Sequence, residues 1–261
     1  MQASPLFSIV VTAHSRPLLL ERALSSILAQ TFSDFEIVLV ADEGSIQTKE
    51  TASRLLREHD VFLSLPGAKG PAESRNAGVQ LARGRFILFL DDDDSYRPGF
   101  LSDIAACDHF NSEAVNYVRF TQITELRTQE GAQTLSSTEI NTGTNDIREL
   151  LIRNFIPNNA VIVPALIAKR HEVDSSLQSH EDWDYLIQLS RQQPFNFLNI
   201  SGPQIHVNQG VSRNNAAKST GTIGLDYLSI YRKWPSTDEQ IRKHRKETLK
   251  SMGLDLPQEV L

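Results

Sequence analysis

Cysteine is nearly absent from this sequence: 261 residues contain one, Cys107. A single cysteine excludes an internal disulfide framework and fits a reducing compartment, and its apolar helical setting predicts a core residue. Runs of 18 apolar residues are missing as well, and residues 1–5 lack the basic region and apolar stretch of a secretory leader. A cytoplasmic protein is therefore expected.

Basic charge is also in deficit. The chain carries 26 Lys and Arg against 32 Asp and Glu, a net charge of -6. A nucleic-acid-binding protein usually presents a basic surface, so this class is disfavoured and no nucleic-acid partner is expected. With 40% hydrophobic residues the chain can form the core of one large domain, and it contains no internal repeat.

Glycine is missing where several nucleotide-binding classes need it. The first strand-like run, residues 6–11, leads into Thr12-Ala-His-Ser-Arg-Pro17 without a glycine. A dinucleotide-binding oxidoreductase requires a G-x-G-x-x-G turn at this point, and a nucleotidyltransferase requires a Gly-rich loop for its triphosphate. Both classes are disfavoured.

The most informative stretch is Arg85-Phe-Ile-Leu-Phe-Leu90 followed by Asp91-Asp92-Asp93-Asp94. The apolar run predicts a strand buried on both faces, and the carboxyl ends of such strands line the ligand crevice of open α/β sheets. Four adjacent carboxylates repel one another, and a hard cation such as Mg²⁺ or Mn²⁺ would offset their charge. The alternative is a solvated acidic turn.

Strand and helix patterns alternate along the first 110 residues. Strands are predicted at 6–11, 35–40, 61–65 and 85–90, with helices from Pro17 to Leu28 and over 48–58 and 72–83. This β-α-β order predicts a parallel sheet with right-handed crossovers. Later segments predict a helix at 98–110, a strand at 114–126, a helix at 146–155, strands at 159–168, 195–200 and 204–208, and two C-terminal helices. Residues 127–143 are predicted to be a mobile loop, and 210–224 a flexible segment.

Several of these stretches resemble a known family. Ser8-Ile-Val-Val-Thr-Ala-His-Ser-Arg-Pro17, Phe35-Glu-Ile-Val-Leu-Val-Ala-Asp42, Ser74-Arg-Asn-Ala-Gly78 and Gly84–Asp94 closely resemble the inverting family 2 glycosyltransferases. The resemblance implies an α/β GT-A fold: a Rossmann-like, mostly parallel nucleotide-binding sheet flanked by helices and continuous with a smaller acceptor-binding part. The predicted division is a donor part at 1–110, an acceptor and catalytic part at 111–224, and a helical tail at 225–261.

The resemblance also implies roles for the acids at the strand ends. Asp93 matches the position that binds Mn²⁺ or Mg²⁺, with Asp91 as a second ligand, and Asp91 or Asp92 would reach the ribose of the nucleotide. His206 would be a further metal ligand. Asp42 would accept a hydrogen bond from the base, although a helix cap is an alternative role for it.

Other residues would line the nucleotide or close over it. Thr12, His14 and Arg16 belong to the loop after the first strand, and Arg75 and Asn76 would either face the nucleotide or brace the loop. A lid over the diphosphate is predicted from four residues of the flexible segment, Ser212, Arg213, Asn214 and Lys218.

The catalytic base is assigned by the same resemblance. Inversion requires a group that takes the proton of the acceptor hydroxyl. Family members place an acidic pair at the start of a helix, and His180-Glu181-Asp182-Trp183 matches it, with Asp182 as the base and Glu181 as the second choice. Carboxylates also occur at helix N-termini for purely electrostatic reasons. Trp183 would either pack in the core or stack on a sugar.

The implied activity is metal-dependent, inverting transfer of a sugar from a UDP, dTDP or GDP donor to a hydroxyl acceptor in bacterial surface-glycan assembly. Acceptors in that setting are glycans or lipid-linked glycans, which is compatible with transient, peripheral association with the inner face of the membrane. A rival function from a different class is an inactive nucleotide-sugar-binding module. Loss of transfer with retained donor binding on replacement of Asp182 would separate the two.

Overall fold

The computed structural model describes residues 4–67, 69–128, 131–177, 179–209 and 220–261. Its strands are β1 Phe7–Ala13, β2 Phe35–Asp42, β3 Val61–Leu65, β4 Phe86–Asp91, β5 Ser95–Tyr96, β6 Val115–Thr128, β7 Gly131–Ile140, β8 Val161–Pro164 and β9 Phe195–Asn208. Its helices are α1 Pro17–Leu28, α2 Ile46–Leu55, α3 Pro71–Leu81, α4 Phe100–Ala105, α5 Ala165–Ala168, α6 Glu181–Ser190, α7 Thr220–Lys233 and α8 Glu239–Ser251.

The first four long strands form the predicted parallel sheet in the order β3-β2-β1-β4. Their apolar runs are buried because helices cover both faces of such a sheet; all eight residues of β2 are buried. The register sets Ala13 beside Ala41 and Thr12 beside Asp91. The polar residues that follow β1, β2 and β4 therefore meet at one edge.

The same sheet continues beyond β4 with mixed strand directions. β8 pairs antiparallel with β4 and with β6, β9 pairs parallel with β6, and β5 pairs with β9. Residues 1–110 and 111–224 thus contribute strands to one sheet, and their assignment as donor and acceptor parts stays a prediction. The helix predicted at 146–155 is wrong in type, because the chain forms a 3₁₀ turn at Ile147–Leu151. The strand predicted at 159–168 is shorter: β8 ends at Pro164, which has no N–H to continue a ladder.

The mobile loop predicted at 127–143 is wrong, since this region belongs to a hairpin. β7 pairs antiparallel with β6 from Thr128↔Gly131 to Phe120↔Ile140. Threonine and serine suit a strand as well as a loop, and nine of the ten residues of β7 are exposed. No apolar alternation marks such a strand in the sequence. The runs predicted at 195–200 and 204–208 are likewise parts of one strand, β9, interrupted by register shifts opposite β6.

Two C-terminal helices are present as predicted, and a buried arginine fixes them to the body. Arg245 of α8 is fully buried and donates to the carbonyl oxygens of Leu151, Tyr231, Trp234 and Leu261. In the described residues, no helix has the length and apolar character needed to cross a membrane.

Gly84 sets the spacing between β1 and the start of β4. Its N–H donates to Ser8 Oγ at 2.7 Å, and a Cβ at this position would lie 2.5 Å from the backbone nitrogen of Ser8. We expect Gly84→Ala to lower the free energy of unfolding by about 1–3 kcal/mol, because the strands would have to separate. Urea denaturation measures this change. Gln133→Ala on exposed β7 is the control, and an equal effect of both substitutions would contradict the steric argument.

Candidate active site

The four acids after β4 divide into a buried pair and an accessible pair. Asp92 and Asp94 are 0% and 5% exposed, whereas the side chains of Asp91 and Asp93 are 33% and 22% exposed. Asp94 accepts hydrogen bonds from the N–H of His206 and from Asn159. Burial raises the pKa of Asp92 to about 7 and that of Asp94 well above its ordinary value. Asp91 and Asp93 therefore have the more accessible carboxylates of the four, and ligand binding by Asp91, Asp92 and Asp93 stays a prediction.

Arginines offset the charge of this acid cluster. Arg16 forms ion pairs with Asp92 and with Asp93, the latter at 2.6 Å. Arg127 Nη1 lies 3.3 Å from Asp93 Oδ2, and Arg127 Nε lies 2.6 Å from Glu125 Oε1. Arg127 and Glu125 were not predicted as site residues. They are two positions apart on β6 and therefore lie on one face of it, but Arg127 falls just beyond the strand predicted to end at residue 126.

Glu125 is a buried carboxylate that pairs with two arginines near Asp93. It is 2% exposed, and Arg22 Nη1 donates to its Oε2 at 2.9 Å. Burial opposes ionisation, yet the hydrogen bonds from Arg22 and Arg127 hold the pKa of Glu125 down at about 2. The lowered pKa favours the charged form of Glu125, which accepts hydrogen bonds from two arginines that also contact Asp93, Arg22 and Arg127.

The oxygen chemistry of Asp91 and Asp93 fits a hard divalent cation. Asp91 Oδ1 accepts from Thr12 Oγ1 at 3.0 Å and from Arg75 at 3.1 Å, while Asp93 Oδ2 faces Arg16 and Arg127. Across the described ranges, no three Asp, Glu, His or Cys side chains converge to hold a metal ion. Mg²⁺ is commonly held by one or two carboxylates together with substrate phosphates, so two acids suffice.

His206 already has protein partners on both ring nitrogens. Nδ1 lies 3.0 Å from Glu125 Oε2, and Nε2 lies 2.9 Å from Ser95 Oγ. Burial, followed by the nearby Arg22, lowers the pKa of His206 and favours the neutral ring. A role as metal ligand would require Nε2 to exchange Ser95 for the ion, and it stays a prediction.

The loop after β1 contacts the end of β2. His14 is half exposed, and its Nδ1 lies 2.9 Å from the Asp42 carbonyl oxygen. Both Asp42 carboxylate oxygens accept backbone hydrogen bonds, from Lys69 at 2.7 Å and Gly70 at 2.8 Å. Ser45, rather than Asp42, caps α2. Base recognition by Asp42 stays a prediction.

Arg75 of α3 connects the end of β4 to the start of α6. It is 5% exposed, and it donates to Asp91 Oδ1 at 3.1 Å and to Glu181 Oε1 at 2.6 Å. Burial opposes its charge, but the carboxylates of Asp91, Glu181 and Asp182 raise the pKa of Arg75 overall. The neighbouring Asn76 instead braces the backbone, exchanging hydrogen bonds with the N–H and carbonyl of Val173.

Asp182 lies in the first turn of α6, beside this bridge. Its Oδ1 accepts from the N–H of Trp183 at 2.8 Å and its Oδ2 from Asn154 Nδ2 at 3.3 Å. Burial, reinforced by Glu181, raises the pKa of Asp182, and Arg75 acts in the opposite direction. Trp183 is fully buried and donates to the Leu150 carbonyl, so it packs in the core.

The sequence-predicted site residues thus come together from three parts of the chain. Arg16 pairs with Asp92 and Asp93, and the adjacent Asp91 pairs with Arg75, which also pairs with Glu181 of α6. These two ion-paired groups form the acid cluster at the end of β4. His14 touches the same cluster through its N–H, which donates to Asp92 at 3.0 Å. The predicted lid residues Ser212, Arg213, Asn214 and Lys218 lie outside the described residues.

The GT-A fold is an α/β fold in which acids at the end of a parallel strand lie near an acidic helix start. This chain has that arrangement, because Arg75 joins Asp91 of β4 to Glu181 of α6. Residues 8–175 match Glycosyl transferase family 2, and the chain belongs to this family. The GT-A fold and the family predicted from the sequence are both confirmed.

Sequence relatives include a Campylobacter jejuni GalNAc(5)-diNAcBac-PP-undecaprenol beta-1,3-glucosyltransferase, 38% identical over 103 residues. That match covers 38% of this chain and 33% of the relative, so the chain spans only about a third of that protein's length.

Two solved structures resemble the chain along most of its length. Staphylococcus aureus TarS 1–349 in complex with UDP-GlcNAc has a TM-score of 0.62 at 18% identity, covering 95% of this chain and 73% of TarS 1–349. The Pyrobaculum calidifontis mannosyltransferase PcManGT, in complex with GDP-Man and Mn²⁺, has a TM-score of 0.60 at 11% identity, covering 97% and 71%. At these identities the likeness confirms the fold alone.

Proposed function

We propose that this protein is a metal-dependent, inverting glycosyltransferase that moves a sugar from a nucleoside-diphosphate donor to a hydroxyl acceptor. One observation carries the proposal: Arg75 joins Asp91, at the donor edge of the sheet, to Glu181, which adjoins Asp182. The proposed ligand of the leaving diphosphate's metal, Asp91, and the proposed base, Asp182, would therefore lie on either side of one buried cation. This separation suits single displacement, in which nucleophile and leaving group occupy opposite faces of the anomeric carbon.

The chemistry assigned to the chain's own residues follows from their environment. Asp182 takes the proton of the acceptor hydroxyl while the hydroxyl oxygen bonds to the anomeric carbon. The bond from the anomeric carbon to the diphosphate oxygen breaks at the same time, and its electron pair stays on the diphosphate. The raised pKa of Asp182 makes its carboxylate a stronger base than an ordinary aspartate. Asp93 and Asp91 would hold Mn²⁺ or Mg²⁺, which would offset charge on the departing diphosphate. Arg75 orients Glu181 beside the base.

A role in bacterial surface-glycan assembly is part of the same proposal. The Campylobacter jejuni relative is named for a lipid-linked, undecaprenol-diphosphate substrate, and TarS and PcManGT are in complex with UDP-GlcNAc and GDP-Man. A glycan or lipid-linked glycan acceptor and a UDP, GDP or dTDP donor follow by analogy. A cytoplasmic enzyme bound peripherally at the inner face of the membrane would meet such an acceptor.

The proposal is tested by thermal unfolding with UDP, GDP, dTDP or CMP, each with and without Mn²⁺. A ligand that binds only the folded state stabilises it by about 2.7 kcal/mol at a hundredfold excess over its dissociation constant. We expect one diphosphate to raise the melting temperature and Mn²⁺ to enlarge that rise. CMP serves as the monophosphate control. Absence of any shift would contradict the donor site and favour a fold that has lost its activity.

A further inference from the structure

The Asp93 carboxylate has two cationic partners that a metal ion would have to replace. We propose that Arg16 and Arg127 hold Asp93 until a nucleoside diphosphate binds, and that the diphosphate then takes over both arginines and releases Asp93 to the divalent cation. This inference rests on the donor site proposed above. It assigns to Arg127 a diphosphate-binding role and makes nucleotide and metal binding mutually dependent.

Both arginines reach the same oxygen of Asp93. Arg16 Nη1 lies 2.6 Å and Arg127 Nη1 lies 3.3 Å from Asp93 Oδ2. Two guanidinium groups and a divalent cation compete for one carboxylate, because each is attracted by the same negative charge. Since the Asp93 side chain is only 22% exposed, water screens this competition incompletely.

Each arginine has a second anchor that would keep it in place after losing Asp93. Arg127 donates from Nε to Glu125 at 2.6 Å and from Nη2 to the His206 carbonyl at 2.8 Å, both shorter than its contact with Asp93. Arg16 pairs with Asp92, which is fully buried. The exchange therefore needs a change of partner at Asp93 and no movement of β1, β4 or β6.

Unsatisfied donors indicate what the arginines would bind instead. Within the described part of the chain, two nitrogens of Arg16, Nε and Nη1, are buried and donate no hydrogen bond. Arg16 thus lies close to Asp93 without a well-directed hydrogen bond to it. A buried N–H without an acceptor is costly, and a diphosphate offers several anionic oxygens that suit the planar guanidinium fork.

The consequence is a reciprocal coupling between two ligands. A diphosphate that engages Arg16 and Arg127 removes the competitors of the metal, so it raises metal affinity, and by linkage the metal raises nucleotide affinity by the same factor. Without nucleotide, the arginines would keep Asp93 from binding divalent cations. The acid cluster would then load its metal together with its donor.

The test is titration of Mn²⁺, followed by electron paramagnetic resonance, for wild type, Arg127→Gln and Arg16→Gln, first without nucleotide and then with UDP or GDP. Without nucleotide, we expect each variant to bind Mn²⁺ about tenfold more tightly, since one charge-assisted contact to Asp93 is gone. The factor by which nucleotide increases Mn²⁺ affinity should fall about tenfold in the same variants. The two variants alter different elements, so misfolding of one leaves the other informative.

Arg22→Gln is the matched control, because it removes the same charge from the same cluster without removing a partner of the Asp93 carboxylate. Arg22 donates to the Asp93 backbone carbonyl and to Glu125, and not to the Asp93 carboxylate. Arg119→Gln, paired with Glu139 in the hairpin, removes a positive charge away from the acids. Equal tightening by Arg22→Gln and Arg127→Gln, or unchanged Mn²⁺ affinity in Arg127→Gln and Arg16→Gln, would overturn the inference. A wild type that binds Mn²⁺ but no nucleotide would instead overturn the proposed function, and with it the exchange; the nucleotide-free titration would still decide whether the arginines compete with the metal for Asp93.

Discussion

Asp182→Asn is expected to abolish most of the sugar transfer while leaving donor binding intact. Asparagine keeps the shape of the side chain, and its amide oxygen can still accept from Trp183 N. Its amide nitrogen cannot accept from Asn154, so the long 3.3 Å contact there is lost, and the side chain cannot take a proton. A general base contributes about 10²–10⁴-fold to the rate, so kcat should fall by that factor. Transfer from UDP- or GDP-sugars measures kcat, and calorimetry with the free diphosphate measures binding.

The matched control is Glu113→Gln, a similar loss of charge at an exposed turn before β6. It should leave both kcat and binding unchanged. If Asp182→Asn kept wild-type kcat, Asp182 would not be the base, and Glu181→Gln would become the decisive variant. If donor binding and transfer were lost together, the acid would have a structural role and the base assignment would lose its support.

The environment of Asp182 also determines the sign of the pH dependence. The base must be deprotonated, so activity should fall as the pH decreases through the pKa of Asp182. Because burial and Glu181 raise that pKa, the acidic limb of the kcat profile should lie above the ordinary aspartate value of about 3.9. A limb at or below that value would contradict the assignment.

Arg75→Met is expected to give the largest loss of stability. Arg75 is the buried partner of both Asp91 and Glu181, and removing it leaves Glu181 and the adjacent Asp182 without a compensating charge. Breaking a buried ion pair on one side costs about 3–5 kcal/mol. Urea denaturation measures this loss, and transfer should disappear with it, because the bridge from β4 to α6 is gone.

The double variant Arg75→Met/Glu181→Gln serves as the control for unpaired charge. Removing the carboxylate together with its partner should restore part of the lost stability, because less uncompensated charge stays buried. Additive losses from the two substitutions would contradict the ion-pair explanation. Arg148→Met, in an exposed pair with Asp146, should change stability by no more than about 1 kcal/mol.

Much of the fold could be predicted because the signals are local. The apolar runs of β1, β2 and β4 and the helical faces between them are visible within short stretches of the sequence. The β6–β7 hairpin could not be predicted in this way, because exposed strands of serine and threonine show no apolar alternation. Its location decides the site, since the same strand, β6, carries Glu125 and Arg127 to the acid cluster.

The parallel sheet of β1 to β4, the acids at the end of β4 and the acidic start of α6 could be read from consecutive residues, because periodicity and helix-start preferences depend on neighbouring residues. Which charges meet depends instead on how the chain folds. Arg75 and Glu181 are 106 positions apart, and Arg127 and Asp93 are 34 apart. Strand order and register bring such partners together, and no local pattern encodes them. The division of the four acids after β4 into a buried pair and an accessible pair also depends on the tertiary structure, because it is set by the residues that pack against each acid.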